Sequence, residues 1–164
     1  MFLINDIIDL AIQIEQNAEK VYRNAQNKIS NPSLTALLKW LADEEIGHAK
    51  SFSDLRKKIS TPIKDPKVEE LGKALLSDVL GRQSFSLDDA KFSKIRQLEE
   101  LLSLAIEFEK DKVMFYNLLQ PFIEDKATLD FLESIIREEN EHIQRLQAFL
   151  DGGATEDVIM SESL

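Results

Sequence analysis

The sequence predicts an all-α protein, an antiparallel four-helix bundle whose second and third helices are joined by a long crossover. Three observations predict this fold. Apolar residues recur with a period near 3.5 in four segments, proline and glycine separate these segments, and the connections between them are short, long and short. The 164 residues suit one domain with a substantial core. We expect helices of about 26 residues, or ~39 Å each.

Turn and capping residues mark the ends of the predicted helices. Asn31 and Pro32 suit an N-cap and a first helical position, so the second helix begins there. Pro121 ends the third helix and Gly152 ends the fourth. Short connections make the helices of each pair antiparallel. Within one domain over 1–150, the predicted order is a hairpin over about 1–59, a crossover over about 60–92 that contains a short extra helix, and a hairpin over about 93–150, with a C-terminal tail over 151–164.

Composition and charge exclude several classes of function. Thirty acidic against 20 basic residues give a net charge of −10, which would repel nucleic acid and anionic membranes. The absence of cysteine excludes disulfides, thiolate metal sites and redox cysteine pairs. The apolar start contains Asp6 and Asp9 and lacks a basic region, so we interpret it as helix rather than signal peptide. With no candidate membrane span, we expect a cytoplasmic protein.

The two predicted hairpins are copies of one another. A shift of 94 residues, without gaps, superimposes identical residues of the two halves. The matched pairs are Ala11 and Ala105, Ile12 and Ile106, Glu15 and Glu109, Tyr22 and Tyr116, Leu38 and Leu132, Glu45 and Glu139, and His48 and His142. This register predicts a pseudo-twofold arrangement in which equivalent residues meet near the axis.

Polar residues interrupt the apolar stripe of every helix near its middle, and both histidines of the chain are among them. Each histidine follows one glutamate by three residues and another by 33, and the six residues are Glu15, Glu45, His48, Glu109, Glu139 and His142. Four buried carboxylates need about four positive charges nearby. Lys112 is the one basic residue on the stripes, so two divalent metal ions are expected to balance the site. Oxygen-rich ligation with one imidazole per metal suits iron or manganese.

Several other residues lie near these positions, and some of them have more than one interpretation. Tyr22 and Tyr116 either hydrogen-bond a ligand carboxylate or pass an electron, or they simply cap the core. Lys112 pairs with a ligand glutamate or a bound peroxide, or it raises its amine to water; we expect the latter. Trp40 is expected to pack against the crossover or a partner subunit, and Glu44 to be a surface charge.

These residues resemble the di-iron carboxylate, ferritin-like superfamily, and within it the rubrerythrin group. The strings AIQIEQNAEKVYRNA and AIEFEKDKVMFYNLL are similar to helices one and three of that group, and WLADEEIGHAKSF and IIREENEHIQRL to helices two and four. The resemblance implies that Glu45 and Glu139 bridge two irons. It implies terminal ligation by Glu15, Glu109, His48 and His142. Rubrerythrins proper also have a rubredoxin domain, which is not expected here, and an extra glutamate where this chain has Lys112.

The resemblance implies an oxidoreductase that reacts with H₂O₂ or O₂ and has a role in oxidative stress. Peroxide reduction needs electrons from a separate donor protein, whereas ferrous-iron oxidation needs only iron and oxidant. A dimanganese catalase-like activity is a third enzymatic reading. The non-enzymatic alternative is an iron-storage or metal-binding bundle without turnover. The apolar residues of the crossover favour a homodimer.

Overall fold

The computed structural model describes residues 4–58 and 98–152, which form four long helices and one short 3-10 helix. In chain order these are α1 (Ile4–Asn27), α2 (Pro32–Lys58), α3 (Leu98–Leu119), the 3-10 helix (Gln120–Phe122) and α4 (Lys126–Asp151). Neither described range contains a β-strand, so the all-α prediction is confirmed there. The predicted crossover with its extra helix and nearly all of the predicted tail lie outside the described residues. The homodimer prediction depends on the crossover and stays a prediction.

The first hairpin consists of α1 and α2, joined by residues 28–31. The side chain of Asn31 accepts a hydrogen bond from the Leu34 amide at 3.0 Å, as expected of an N-cap, and Pro32 follows as the first helical residue. Ion pairs connect Asp9 with Arg56 and, nearer the turn, Arg23 with Asp43 at 2.9 Å. Because low numbers on α1 meet high numbers on α2, the two helices are antiparallel.

The second hairpin consists of α3 and α4, and the 3-10 helix that contains Pro121 begins directly after α3. Asp125 caps α4: its carboxylate accepts hydrogen bonds from the Thr128 amide at 2.9 Å and from the Thr128 hydroxyl at 2.7 Å. At the other end, the Gly152 amide donates to the carbonyl of Ala148, so α4 ends where the sequence predicts. No helix in residues 4–58 and 98–152 is long and apolar enough to cross a membrane.

The hairpins pack against each other around a core that follows the internal repeat. Phe52 of α2 contacts Tyr116 of α3 and Phe131 of α4, with ring centroids 5.4 Å and 5.3 Å apart. Positions related by the 94-residue shift are buried in both halves, for example Ile14 and Phe108. The core therefore encloses the middle of all four helices, where the six polar residues of the apolar stripes lie.

Candidate metal centre

The structure brings the six predicted site residues together at the centre of the bundle. The four carboxylates and His142 have no exposed surface, and His48 is 4% exposed. Each long helix contributes at mid-length, with a glutamate from α1 and α3 and a Glu-x-x-His pair from α2 and α4. Residues three apart lie on the same helix face, so each pair points into the same interior space. The residues are Glu15, Glu45, His48, Glu109, Glu139 and His142.

These side chains form two overlapping groups, each able to surround one ion. Within each group the potential ligand atoms lie within 4.8 Å of one another. Glu45 and Glu139 belong to both groups, whereas each group has one histidine and one further glutamate of its own. The first group is Glu15, Glu45, His48 and Glu139, and the second is Glu45, Glu109, Glu139 and His142. The arrangement is that of two neighbouring sites with two shared carboxylates.

Both histidines direct Nδ1 into the cluster. Nδ1 of His48 lies 2.7 Å from Glu139, and Nδ1 of His142 lies 3.2 Å from both Glu45 and Glu139. On its outer side, Nε2 of His48 lies 2.8 Å from the carboxylate of Glu138. A proton held on Nε2 by this carboxylate leaves the Nδ1 lone pair facing the interior, which is the tautomer that a metal ligand needs.

The outer partner of His142 is more distant. Nε2 of His142 lies 3.9 Å from the carboxylate of Glu44, a half-buried residue that the sequence suggested to be a surface charge. Glu44 and Glu138 are themselves related by the 94-residue shift. The sequence analysis did not identify Glu44 and Glu138 as partners of the histidines. The available signal was that both halves have a glutamate directly before the predicted ligands Glu45 and Glu139.

Each tyrosine hydrogen-bonds a glutamate of the other hairpin. The Tyr22 hydroxyl donates to Oε1 of Glu109 at 2.7 Å, and the Tyr116 hydroxyl donates to Oε1 of Glu15 at 2.5 Å. Burial, together with the adjacent carboxylate, raises the pKa of each phenol, so both remain protonated donors. Each hydroxyl thus hydrogen-bonds a predicted ligand carboxylate, and a role of the tyrosines in electron transfer stays a prediction.

Lys112 corrects an expectation. The sequence suggested that its amine reaches water, but the residue is fully buried and its Nζ lies inside the cluster. Nζ lies 3.0 Å from Glu15, 3.2 Å from Glu109 and 2.9 Å from Glu139, and it also contacts Glu45. Lys112 follows Glu109 by three residues on the same helix face, and its position at mid-helix is too far from the surface for the amine to escape.

Burial and mutual repulsion act unequally on the four carboxyl groups. Burial and the negative charge of Glu45 raise the pKa of Glu109 to about 8 and that of Glu15 well above its usual range. At Glu45 burial and the charge of Glu139 also act upward, but Lys112 and the two histidines outweigh them and lower the pKa to about 2. The pKa of Glu139 is lowered too, chiefly by Lys112 acting against burial.

The carboxylates raise the pKa of both histidines, which favours the protonated imidazolium form. Burial would lower the pKa of His48, yet the neighbouring carboxylates of Glu139 and Glu45 raise it to about 11. The pKa of His142 is raised in the same way, with Glu109 contributing as well. With no metal bound, Lys112 and two imidazolium rings place three positive charges beside the four carboxyl groups. The two histidines thus add to the charge of Lys112, but three positive charges against four carboxylates still fall short of neutralising the cluster.

The polar atoms of the cluster nevertheless have fewer partners than buried groups normally find. Seven buried side-chain atoms have no hydrogen-bond partner among the described residues, and all belong to the six site residues. They are Oε1 of Glu45, Nδ1 of His48, Oε2 of Glu109, both carboxylate oxygens of Glu139, and both ring nitrogens of His142. Oxygen and imidazole donors aimed at a common interior space fit iron or manganese ions.

Trp40 covers one side of the cluster. Its ring meets the His142 ring edge-on with centroids 5.1 Å apart, and the Arg145 guanidinium lies 4.3 Å above the indole. Sequence reasoning placed Trp40 against the crossover or a partner subunit; its observed contacts are with α4. The indole shields His142 from solvent, whereas His48 has no equivalent tryptophan because Ser134 occupies the related position.

Comparison with known proteins agrees with this site. The sequence profile of the Rubrerythrin family matches residues 6–150. The chain belongs to the rubrerythrin family. A solved structure from Thermotoga maritima, described as a ferritin-like diiron-carboxylate protein, aligns with a TM-score of 0.67 and 22% identity over 92% of this chain and 95% of that one. The likeness shows that the fold is ferritin-like. No curated protein matches the chain.

Proposed function

We propose that this rubrerythrin-family chain is a di-iron oxidoreductase that reduces H₂O₂ or O₂. The observation that carries the proposal is the pair of overlapping Glu/His groups, sealed in the bundle and rich in polar atoms without hydrogen-bond partners. A cluster that served only as a structural ion-pair network would be expected to satisfy its own donors and acceptors. Membership of the rubrerythrin family supports iron as the resident metal.

The ligand roles follow from which residues the two groups share. Glu45 and Glu139 belong to both groups, so they would hold both ions between them. Glu15 with His48 would complete one site, and Glu109 with His142 the other. With imidazoles neutral, the four carboxylates carry the charge that two divalent ions balance.

The remaining residues position these ligands and keep water out. Tyr22 and Tyr116 each hydrogen-bond Oε1 of a terminal glutamate, which fixes that carboxylate and leaves Oε2 facing the interior. Glu138 holds the proton of His48 on Nε2. The enclosing helices exclude solvent, which strengthens the electrostatic interactions at the site. Bound iron would supply the redox chemistry, changing oxidation state as the oxidant is reduced.

The described residues contain no cysteine that could pass electrons to the site. We therefore propose a separate electron-donor protein as partner for a peroxidase activity. Ferrous-iron oxidation, the alternative at the same site, would need no such partner. Manganese in place of iron would favour a catalase-like reaction.

Metal content tests the site itself. Protein produced in iron-rich medium should contain about two iron ions per chain, and a value below about 0.5 would favour a helical bundle that binds no metal. Glu45→Ala and His142→Ala should each reduce the metal content. Glu133→Ala, which changes an exposed glutamate on the same helix as His142, should leave it unchanged. Unchanged binding in both ligand variants would show that the ligand set is wrong.

The reaction with oxidant separates the activities. Ferrous protein should develop diferric absorption when H₂O₂ or O₂ is added under otherwise anaerobic conditions. Faster oxidation by H₂O₂ indicates the peroxidase, and faster oxidation by O₂ with continued uptake of Fe²⁺ indicates the ferroxidase. Iron-loaded protein that gives no absorption change with either oxidant would contradict both, and manganese-loaded protein that evolves O₂ from H₂O₂ would indicate the catalase-like reaction.

A further inference from the structure

Lys112 places a positive charge at the point where the two predicted metal sites meet. Its Nζ lies within 3.2 Å of Oε2 of Glu15, Glu109 and Glu139, and it also contacts Oε2 of Glu45. Every carboxylate of the site therefore has one oxygen turned toward this ammonium. Since Glu45 and Glu139 are common to both groups, either predicted ion would share at least these two carboxylate groups with Lys112.

The Lys112 side chain is buried along its whole length, including its ammonium group. Lys112 has no exposed surface, and its Nζ lies 5.2 Å from the centroid of the Phe108 ring, which is also fully buried. Burial of an unpaired ammonium would be costly, but four surrounding carboxylates offset that cost. Among the described residues no other lysine or arginine is buried, and the other buried basic residues are His48 and His142.

An ammonium cannot satisfy this site as well as metal ions can. It has three N–H donors for four carboxylates, and the hydrogen bonds that it donates go to Glu15 and Glu45. Glu109 and Glu139 lie close to Nζ but leave their Oε2 atoms without a hydrogen bond among the described residues. Lys112 therefore supplies one positive charge to the cluster while leaving oxygen atoms available for a stronger cation.

We propose that the Lys112 ammonium is an internal cation that occupies the centre of the carboxylate cluster in the metal-free protein, and that divalent metal ions load by displacing it. The proposal rests on the proposed metal-binding function and adds a regulatory property to it. The lysine stabilises the folded protein when no metal is bound. It also raises the metal concentration that is needed to occupy the site. Without it, the four carboxylates would bind metal more tightly but would repel one another when empty.

Metal titration of a charge-removing variant tests this competition. Lys112→Met retains a long, unbranched side chain and removes the ammonium. Under anaerobic conditions, Co²⁺ binding followed by its visible absorption should show a Kd about 100-fold lower in Lys112→Met than in the wild-type protein. Without metal, the unfolding temperature of the variant should be lower by about 10 °C, and excess Co²⁺ should reverse the difference.

Lys110→Met is the matched control, because Lys110 is an exposed lysine on the same helix. It should bind Co²⁺ as the wild type does. Equal Kd values for the wild type and Lys112→Met would overturn the competition while leaving the metal site intact. If neither protein binds Co²⁺ nor acquires iron, the metal site itself is wrong and the present proposal fails with it.

A measurement on the wild-type protein keeps the proposal testable if Lys112→Met does not fold. In nuclear magnetic resonance spectra of metal-free protein, one lysine ammonium should exchange slowly with water and show a nuclear Overhauser contact to the Phe108 ring. Two equivalents of Zn²⁺ should abolish that contact and shift the ammonium signal. A protected ammonium that keeps both its shift and its contact after Zn²⁺ has bound would contradict displacement, as would the absence of any protected ammonium beforehand.

Discussion

The two hairpins provide the same candidate metal ligands, but only the second provides a buried lysine. Every predicted ligand of the first hairpin has an identical residue 94 positions later in the second, and Tyr22 and Tyr116 exchange equivalent hydrogen bonds between the halves. Lys112 breaks the match, because the related residue of the first hairpin is the fully buried Ala18. The ligand set therefore obeys the pseudo-twofold symmetry, whereas the internal positive charge comes from one side only.

A second difference concerns the outer sides of the histidines. His48 contacts Glu138 at 2.8 Å, whereas the equivalent separation between His142 and Glu44 is 3.9 Å, and Trp40 covers His142 instead. The predicted ligands are therefore duplicated in the two hairpins, whereas the residues that contact the outer sides of the two histidines differ. The two metal positions should accordingly differ in affinity although their ligands are the same.

Moving the lysine to the other hairpin is the strongest test of this asymmetry. Lys112→Ala should lower the free energy of unfolding of the metal-free protein by about 3–5 kcal/mol, because it leaves four buried carboxyl groups without their ammonium. Adding Ala18→Lys should recover about half of that loss, since the repeat places position 18 in the equivalent register. Chemical denaturation with a chelator present measures both values. No recovery in the double variant would show that the two positions do not reach the same centre.

The tyrosines should instead behave symmetrically. Tyr22→Phe and Tyr116→Phe each remove a hydrogen bond to a buried glutamate and should each cost about 2 kcal/mol of stability in the metal-free protein. Denaturation curves of the two variants check this, with the partner carboxylates changed in Glu109→Gln and Glu15→Gln to complete double-mutant cycles. Costs that differ several-fold between the two tyrosines would mean that the asymmetry extends into the ligand positions.

The smallest expected effects are those of Glu138 and Glu44 on metal affinity. Glu138→Ala removes the carboxylate that contacts His48 and should weaken metal binding by about 10-fold. Glu44→Ala should have a smaller effect, because Glu44 is farther from His142. Stepwise Co²⁺ titration compares the two variants. If Glu44→Ala weakened metal binding more than Glu138→Ala, His142 rather than His48 would be the histidine that depends more on its outer carboxylate.

The sequence predicted the helices and the cluster because both depend on helical periodicity. Glu15, Glu45 and their counterparts interrupt apolar stripes, and a polar residue on such a stripe is carried into the core by its neighbours. The caps at Asn31 and Gly152 were also predicted, because they depend on the preferences of single residues at helix ends.

The environment of the ligands was harder to predict, since it depends on distances between helices. Whether the amine of Lys112 reaches water depends on how far mid-helix lies from the surface, and general lysine behaviour gave the wrong answer. The contact between Glu138 and His48 joins α4 to α2 across the bundle. Periodicity along one helix carries no information about such a contact, although the internal repeat could have drawn attention to it.

The proposed function depends on two metal ions binding between the shared carboxylates Glu45 and Glu139. Crystals of iron-loaded protein, measured on both sides of the iron absorption edge, test it most directly. We expect two anomalous peaks about 3.5–4 Å apart, one beside His48 and one beside His142. Nζ of Lys112 should have moved away from the carboxylates. Iron-loaded crystals with no anomalous peak in the cluster and Lys112 still contacting all four glutamates would contradict it.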